Sequence, residues 1–454
     1  MKEHKRINRR RFISSASAGV VAATVLPGSN YLSGMIFQST NKLAILGGEP
    51  LRKKPFIKWP QSSAKIEELL IETAKSGNWY RFESGSKNVS TFEKKFAELL
   101  GAKFCLATGS GTQSLHTALY AVGVEAGDEV LVTPQTYIAS PQSIFLCNAL
   151  PVFVDVNIDT FQMDPDKMEP LINENTKAVE PVHIAGLPCQ IDKIVEIARK
   201  HNMKVVEDAC QAAFAELNNK TVGTYGDLGC YSFQSSKVIG CGEGGAIIGD
   251  NENLMDLCYA FHNLGIPRKN SSVKGSIIGP KYRMNEWEGA VLLAQIDNVK
   301  QQVDLRDENA IYLSKRLDEI PGIVPQRLSK GVTKGTHYLY GFRYLKEYFN
   351  DVPKSKFLKA FGAEGIPNTD MYFDRLNTQN FVEHTLNSKA FQIIYSKNRL
   401  KRYREQNNCP VNDKLSDQGV WLSQQMLLGT KADMDDIANA IAKIQANKEE
   451  LVKS

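Results

Sequence analysis

Between Phe104 and Ile248 the sequence alternates short β-rich runs with stretches of helical period, and this alternation restricts the fold more than any other feature of the chain. The expected strands are Phe104–Thr108, Val130–Thr133, Val152–Val156, Ala178–His183, Lys204–Glu207, Leu228–Phe233 and Ala246–Ile248. The expected helices include Gly111–Val122, with Leu115, Ala118, Leu119 and Val122 on one face, then Asp192–His201, and Glu252–His262 after the last strand. Strands separated by helices call for βαβ crossovers, hence an α/β fold with a mostly parallel seven-stranded sheet and helices on both faces. After residue 300 the texture changes. A helical stretch from Asn285 to Leu317 ends at Pro321-Gly322, followed by the aromatic run Tyr338–Tyr344, a helical run Lys354–Gly362 and an amphipathic helix Asp433–Ile444. The expected division is an N-terminal leader over 1–40, a large domain over 41–300 and a smaller C-terminal α+β domain over 301–454.

Charge excludes one class of partner. The net charge is +5, and Lys2, Lys5, Arg6, Arg9, Arg10 and Arg11 against Glu3 account for all of it. The remainder is neutral and has no electrostatic footprint for nucleic acid. Arg9-Arg10-Arg11-Phe12-Ile13 resembles the twin-arginine export signal. The weakly apolar run Ile13–Leu26 that follows is shorter than the about 20 residues a membrane-spanning helix needs, and suits a signal h-region. The resemblance implies export, with a periplasmic mature chain lacking an integral membrane segment. It also implies folding before translocation, so the eight cysteines, which show no C-x-x-C pair, are expected to be reduced and to bind no metal.

The chemistry concentrates at strand ends. Ser232-Phe233-Gln234-Ser235-Ser236-Lys237, followed by Gly242-Glu243-Gly244-Gly245, puts a lysine in a loop at the carboxyl end of the sheet, where open α/β folds bind ligands. Val205–Asp208 is a buried strand ending in two carboxylates, and alternation does not decide which one faces inward. Ser110-Gly111-Thr112 opens a helix whose free amides suit an anion such as phosphate. Phosphate cradle, aromatic Tyr137, strand-end acid, serine and lysine are what a pyridoxal phosphate site requires.

From residue 43 onward the chain resembles the DegT/DnrJ/StrS aminotransferases, fold-type I pyridoxal phosphate enzymes. The resemblance is carried by Leu43–Pro50, Pro181-Val182-His183, Gly186, Glu207-Asp208, Gln211, Ser232–Gly245 and Tyr282-Arg283-Met284-Asn285-Glu286. It implies that Lys237 forms the Schiff base (internal aldimine) and shuttles the proton, while Asp208 keeps the pyridine nitrogen protonated. It further implies that Gln211 lies near the ring hydroxyl, Tyr137 stacks on the ring, and Gly111, Thr112 and Ser232 donate to the phosphate. His183 is either a packed strand-end histidine or a substrate contact. Gln234 stands where many sugar aminotransferases have His, and resembles the branch acting on cyclitols. Lys281 stands where the family often has Asn reaching the phosphate of a neighbouring subunit. A lysine there binds phosphate as a point charge or extends into solvent.

The resemblance therefore implies a ping-pong aminotransferase moving an amine from glutamate or glutamine to a keto-sugar or cyclitol ketone, in a homodimer with shared active sites. Export favours a free keto-sugar or inosose-like ring over a nucleotide-linked sugar. Acceptor contacts are expected from loops such as Trp79–Gly85 and Tyr338–Arg343. The competing reading, an exported binding or scaffold protein without turnover, is opposed by Lys237, Asp208, Gln211 and Ser232 occurring together.

Overall fold

All seven expected strands form in the computed structural model, which describes residues 42–369 and 375–453; they run Phe104–Thr108, Glu129–Val132, Leu150–Phe153, Thr176–Glu180, Lys204–Asp208, Leu228–Ser232 and Gly245–Gly249. They make one sheet in the spatial order 104–108, 245–249, 228–232, 204–208, 176–180, 129–132, 150–153. Gly245–Gly249 runs antiparallel to both neighbours, and the remaining pairs are parallel. The exception has a local cause. No helix intervenes between Leu228–Ser232 and Gly245–Gly249, so the chain returns directly through the loop that carries Lys237.

Successive strand residues face opposite sides, and the sheet is covered on both. Leu106, Val206 and Ile247 pack with Leu115, Ala118 and Leu119 of the helix Gly111–Ala121. Ala107, Ala246 and Ile248 pack with Phe92 and Phe96 of Asn88–Leu100 and with Leu292 of Glu286–Gln295. The helical stretch expected from Asn285 to Leu317 is two helices, Glu286–Gln295 and Val299–Leu317. The break lets the first pack on Ala64–Ser76 and Asn88–Leu100 while the second packs on Lys431–Ala446.

The later part of the chain builds a three-stranded antiparallel sheet with Leu339–Tyr344 between Ile323–Pro325 and Gly419–Ser423. Phe342, Tyr344, Phe357, Phe361, Ile437 and Ile441 form its core with the helices Lys354–Ala363 and Lys431–Ala446. After Lys354–Ala363, and before the strand Gly419–Ser423, the helices Asn380–Leu386, Lys389–Ile394, Lys397–Gln406 and Pro410–Gln418 reach back to the edge of the large sheet. There Tyr403 donates to Pro151 O (2.8 Å), and Asn407 Oδ1 accepts from Phe153 N (3.0 Å), so the edge strand Leu150–Phe153 is not left open.

The first described residues act as a clip. The buried Glu364 carboxylate accepts from Ala44 N (2.9 Å) and Leu51 N (3.0 Å), and Arg52 bonds Asp433 and Asp436, each at 2.7 Å. Among the described residues no helix is long and apolar enough to cross a membrane, no His, Cys, Asp and Glu cluster is arranged for a metal, and the eight cysteines are unbridged. The twin-arginine segment lies outside the described residues.

Candidate active site

The carboxyl ends of the parallel strands open into a cavity of about 420 Å³, within the range of pockets that take a cofactor-sized ligand. Gly111, Thr112, Tyr137, Asp208, Gln211, Ser232 and Lys237 all line it.

One end is built to take an anion. The strand Phe104–Thr108 passes through Gly109 into the helix Gly111–Ala121, whose first turn is capped by Ser110 Oγ accepting from Gln113 N (3.2 Å). The amides of Gly111 and Thr112, ahead of Gln113, stand at the positive end of the helix dipole. Gly111 is required by packing, because a Cβ there would lie 2.8 Å from Ser232 Cβ and 3.0 Å from Cys210 Sγ. Only glycine lets the helix start sit this close to the strand ends.

The structure resolves which carboxylate serves the cavity. Asp208 shares its sheet face with Val206 and is nearly buried; Oδ2 accepts from Ser140 Oγ (2.7 Å) and Oδ1 from Cys210 N (3.0 Å). Thr136 Oγ1 lies 2.7 Å from Ser140 Oγ. Ser140 spends its single hydrogen on the carboxylate, so the Thr136 hydroxyl donates to it. Glu207 faces the other side and accepts from the amides of Gly223, Tyr225 and Gly226, each at 2.7 Å. His183 is fully buried with Nε2 3.1 Å from Glu207 Oε2, and its Nδ1 accepts from Cys189 N (3.2 Å). It is a packed structural residue outside the cavity.

One strand over from Asp208, Glu180 is fully buried; it receives one long bond from Ser143 Oγ (3.3 Å), and its Oε1 has no partner. Burial first, then the Asp208 charge, push its pKa well above the usual carboxylate range, so it holds its proton. Gln211 Oε1 accepts from Ala185 N (2.8 Å), so what it offers the cavity is its amide NH2.

Lys237 is carried by a loop pinned from behind. The indole of Trp59 donates to both Ser235 O and Lys237 O, each at 3.1 Å, and Gln295 Nε2 donates to Gly240 O (2.8 Å). The Lys237 ammonium lies 4.0 Å from the ring centroid of Tyr338, whose hydroxyl is 2.9 Å from Ser236 Oγ.

Lys281 is not brought into the cavity of its own chain. It is exposed on a short antiparallel bridge to Asn263. Its neighbour Tyr282 accepts from Gly109 N (2.9 Å), at the approach to the anion end. Of the two loops expected to supply acceptor contacts, Tyr338 reaches the cavity. Trp79–Gly85 does not line it, being tied to Arg283 through Tyr80 and to Glu286 N through Trp79 O. Ser140, Trp59 and Glu180 escaped the sequence reading, and Ser236, though within the lysine motif, was given no task. Only Ser140 had a local signal, its place just beyond Thr133–Tyr137.

Donors at a helix N-terminus, a cradle that a Cβ would fill, an acceptor carboxylate, an amide donor, a half-exposed aromatic and a primary amine in one cavity fit pyridoxal phosphate. The comparisons agree. Residues 60–442 match the DegT/DnrJ/EryC1/StrS aminotransferase family. L-glutamine:2-deoxy-scyllo-inosose aminotransferase of Streptoalloteichus tenebrarius is 32% identical over 425 residues, covering 90% of this chain and 99% of that protein. 3-Amino-5-hydroxybenzoate synthase of Amycolatopsis mediterranei is 31% identical over 397 residues, covering 86% and 98%. The crystal structure of 3-amino-5-hydroxybenzoic acid synthase superposes with a TM-score of 0.77 at 28% identity, covering 87% of this chain and 100% of that one. The chain belongs to the DegT/DnrJ/EryC1/StrS family and is a pyridoxal phosphate-dependent aminotransferase.

Proposed function

We propose that the enzyme moves the amino group of glutamine or glutamate onto the ketone of a cyclitol, with a keto-sugar as the wider acceptor class. The observation that carries the reading is that Lys237, Asp208 and the amide-rich start of the helix Gly111–Ala121 line one cavity. The cyclitol preference rests on the relative named for 2-deoxy-scyllo-inosose and on Gln234 lining the same cavity.

Pyridoxal phosphate, when bound, supplies an aldehyde that captures amines and a ring that accepts the electron pair of a broken C–H bond. The protein's part follows from its residues. The amides of Gly111 and Thr112, with the Ser232 hydroxyl, hold the phosphate group. Asp208, aligned by Ser140 and the Cys210 amide, holds a proton on the pyridine nitrogen. Lys237 Nζ would hold the cofactor by its aldehyde and, once an incoming amine takes that place, would serve as the base and acid that moves the proton of the donor's α-carbon. Donor product leaves before acceptor enters, and the steps run in reverse on the ketone.

Purified enzyme is expected to be yellow, and glutamine or glutamate to bleach it. Of a panel of ketones offered to the bleached form, inososes should restore the colour fastest. An inosose that leaves it bleached while a nucleotide-linked keto-sugar restores it would overturn the cyclitol assignment. Lys237→Ala should lose the colour and the borohydride-trapped cofactor label.

Two further elements belong to the proposal. The chain is exported through the twin-arginine signal at Arg9–Ile13, supported by the confinement of the net charge to the leader. It works as a homodimer in which Lys281 approaches the partner's phosphate end, supported by exposed Trp79, Tyr80, Ile266 and Ile278. Cell fractionation with Arg9→Lys/Arg10→Lys/Arg11→Lys tests the first, since a wild-type chain retained in the cytoplasm removes it. Sedimentation tests the second, since a monomer that is fully active removes it.

A further inference from the structure

Tyr338 stands apart from the residues so far assigned a task, though its ring forms part of the cavity wall. Its position is fixed by backbone on the side away from the cavity. Gly186, at φ +83°, leaves no room for a Cβ, which would lie 2.8 Å from Tyr338 N and 2.9 Å from His337 N. Thr336 N donates to Gly186 O (2.8 Å) and Thr336 Oγ1 to Ala213 O (2.8 Å). His337 Nε2 lies 2.8 Å from Asp307 Oδ1. Tyr338 is buried, 5% exposed.

The hydroxyl end is also fixed, by proton accounting. Gln234 Oε1 accepts from Ser236 N (2.9 Å) and lies 2.6 Å from Ser236 Oγ, so the single Ser236 hydroxyl hydrogen goes to Gln234. The 2.9 Å contact between Ser236 Oγ and Tyr338 Oη is therefore made with the tyrosine hydrogen. Gln234, Ser236 and Tyr338 form a directed chain that ends on the lysine loop. Beside it the π face of Tyr338 receives the Lys237 ammonium at 4.0 Å from the centroid, well inside cation–π range.

We propose that Tyr338 is a positioning residue for Lys237: its ring face is the docking place of the lysine amine whenever that amine is not bonded to cofactor, while its hydroxyl only registers the ring against Ser236. The inference rests on the assignment of Lys237 as the cofactor-bonding lysine. Among the described residues, the other charged and titratable groups lining the same cavity are Tyr137, Asp208, Cys210 and Glu243. Burial keeps Cys210 a neutral thiol. The carboxylates favour the ammonium as the ring does, and they stay in place when the ring is changed. Losing the ring therefore lowers the pH at which Lys237 becomes a free amine, by about 0.4 to 1.5 units for an ordinary cation–π contact.

The test is competitive acetylation of the full-length protein from neutral to alkaline pH, with Lys237 followed by peptide mass spectrometry. It is run without cofactor and again loaded with pyridoxamine phosphate. Tyr338→Phe keeps the ring and should titrate as wild type. Tyr338→Leu and Tyr338→Met should both shift down, the second serving if the first fails to fold. Equal midpoints in all four proteins, or a Tyr338→Phe shift as large as that of Tyr338→Leu, would overturn the proposal. The assignment of Lys237 itself fails separately, if Lys237→Ala still traps cofactor with borohydride.

Discussion

Replacing Gly111 with alanine strikes the joint on which the anion end of the cavity depends. The new Cβ would meet Ser232 Cβ at 2.8 Å, Cys210 Sγ at 3.0 Å and Ser232 Oγ at 3.2 Å, against an optimum of about 3.5–4.0 Å for carbon pairs. Neither neighbour has room to retreat. Ser232 is paired with Gly245 in the sheet, and the Cys210 amide is committed to Asp208. Overpacking of this kind costs about 1–3 kcal/mol, which a lower Tm would report. Displacing one donor to a charged phosphate costs about 1.5–3 kcal/mol, or a roughly 10- to 150-fold weaker grip on the cofactor. Thermal melts and titration of cofactor-free enzyme with pyridoxal phosphate separate the two effects. The double variant Gly111→Ala/Ser232→Gly removes two of the three close contacts, leaving Cys210 Sγ at 3.0 Å, and should recover part of the Tm without recovering affinity. Wild-type affinity in Gly111→Ala would refute the placement of the phosphate, and recovered affinity in the double variant would refute Ser232 as a donor.

Two pH effects follow from buried groups. Glu180 keeps its proton in the folded chain while the unfolded chain releases it above about 4.5, so its contribution is present at low pH and is lost as pH rises. Glu180→Gln should therefore raise the Tm of cofactor-free enzyme at neutral pH, with the gap closing toward pH 4.5; a lower Tm at neutral pH would show that the acid is ionised. His262 is fully buried with Nε2 unpartnered, and burial, with the Arg81 charge, holds its pKa down to about 3. Its contribution is present above the unfolded value of 6.5 and is lost as pH falls toward 3, by about 1.4 kcal/mol per pH unit. His262→Gln should flatten the acid limb of a stability–pH curve in that window, and an unchanged limb would contradict it.

The strands from Phe104 to Gly249 were legible because runs of Val, Ile, Leu and Ala are bounded by segments of helical period, and local pattern determines that much. The choice between Glu207 and Asp208 was not, because alternation gives two faces without saying which one the helix Gly111–Ala121 covers. Ser140 and Glu180 reach the site by tertiary approach; Tyr338 was expected there from the Tyr338–Arg343 loop, but its contact with Ser236 spans 102 positions, and no local pattern announces that. The helices between Asn380 and Gln418 were hidden for another reason. Lys397–Gln406 is dominated by charge and buries only Leu400 and Tyr403, too thin a stripe to read as an amphipathic face.

The clip formed by residues 43–59 sets a proteolytic boundary. Leu43 is wholly enclosed, Ala44 N and Leu51 N satisfy the buried Glu364, and Trp59 holds the carbonyls on either side of Ser236. A cut past Ala44 would remove one of the two amides that satisfy Glu364. A cut past Trp59 would also release the lysine loop. Proteolysis of the folded chain from this side is thus limited by the fold itself, whatever residue a peptidase prefers.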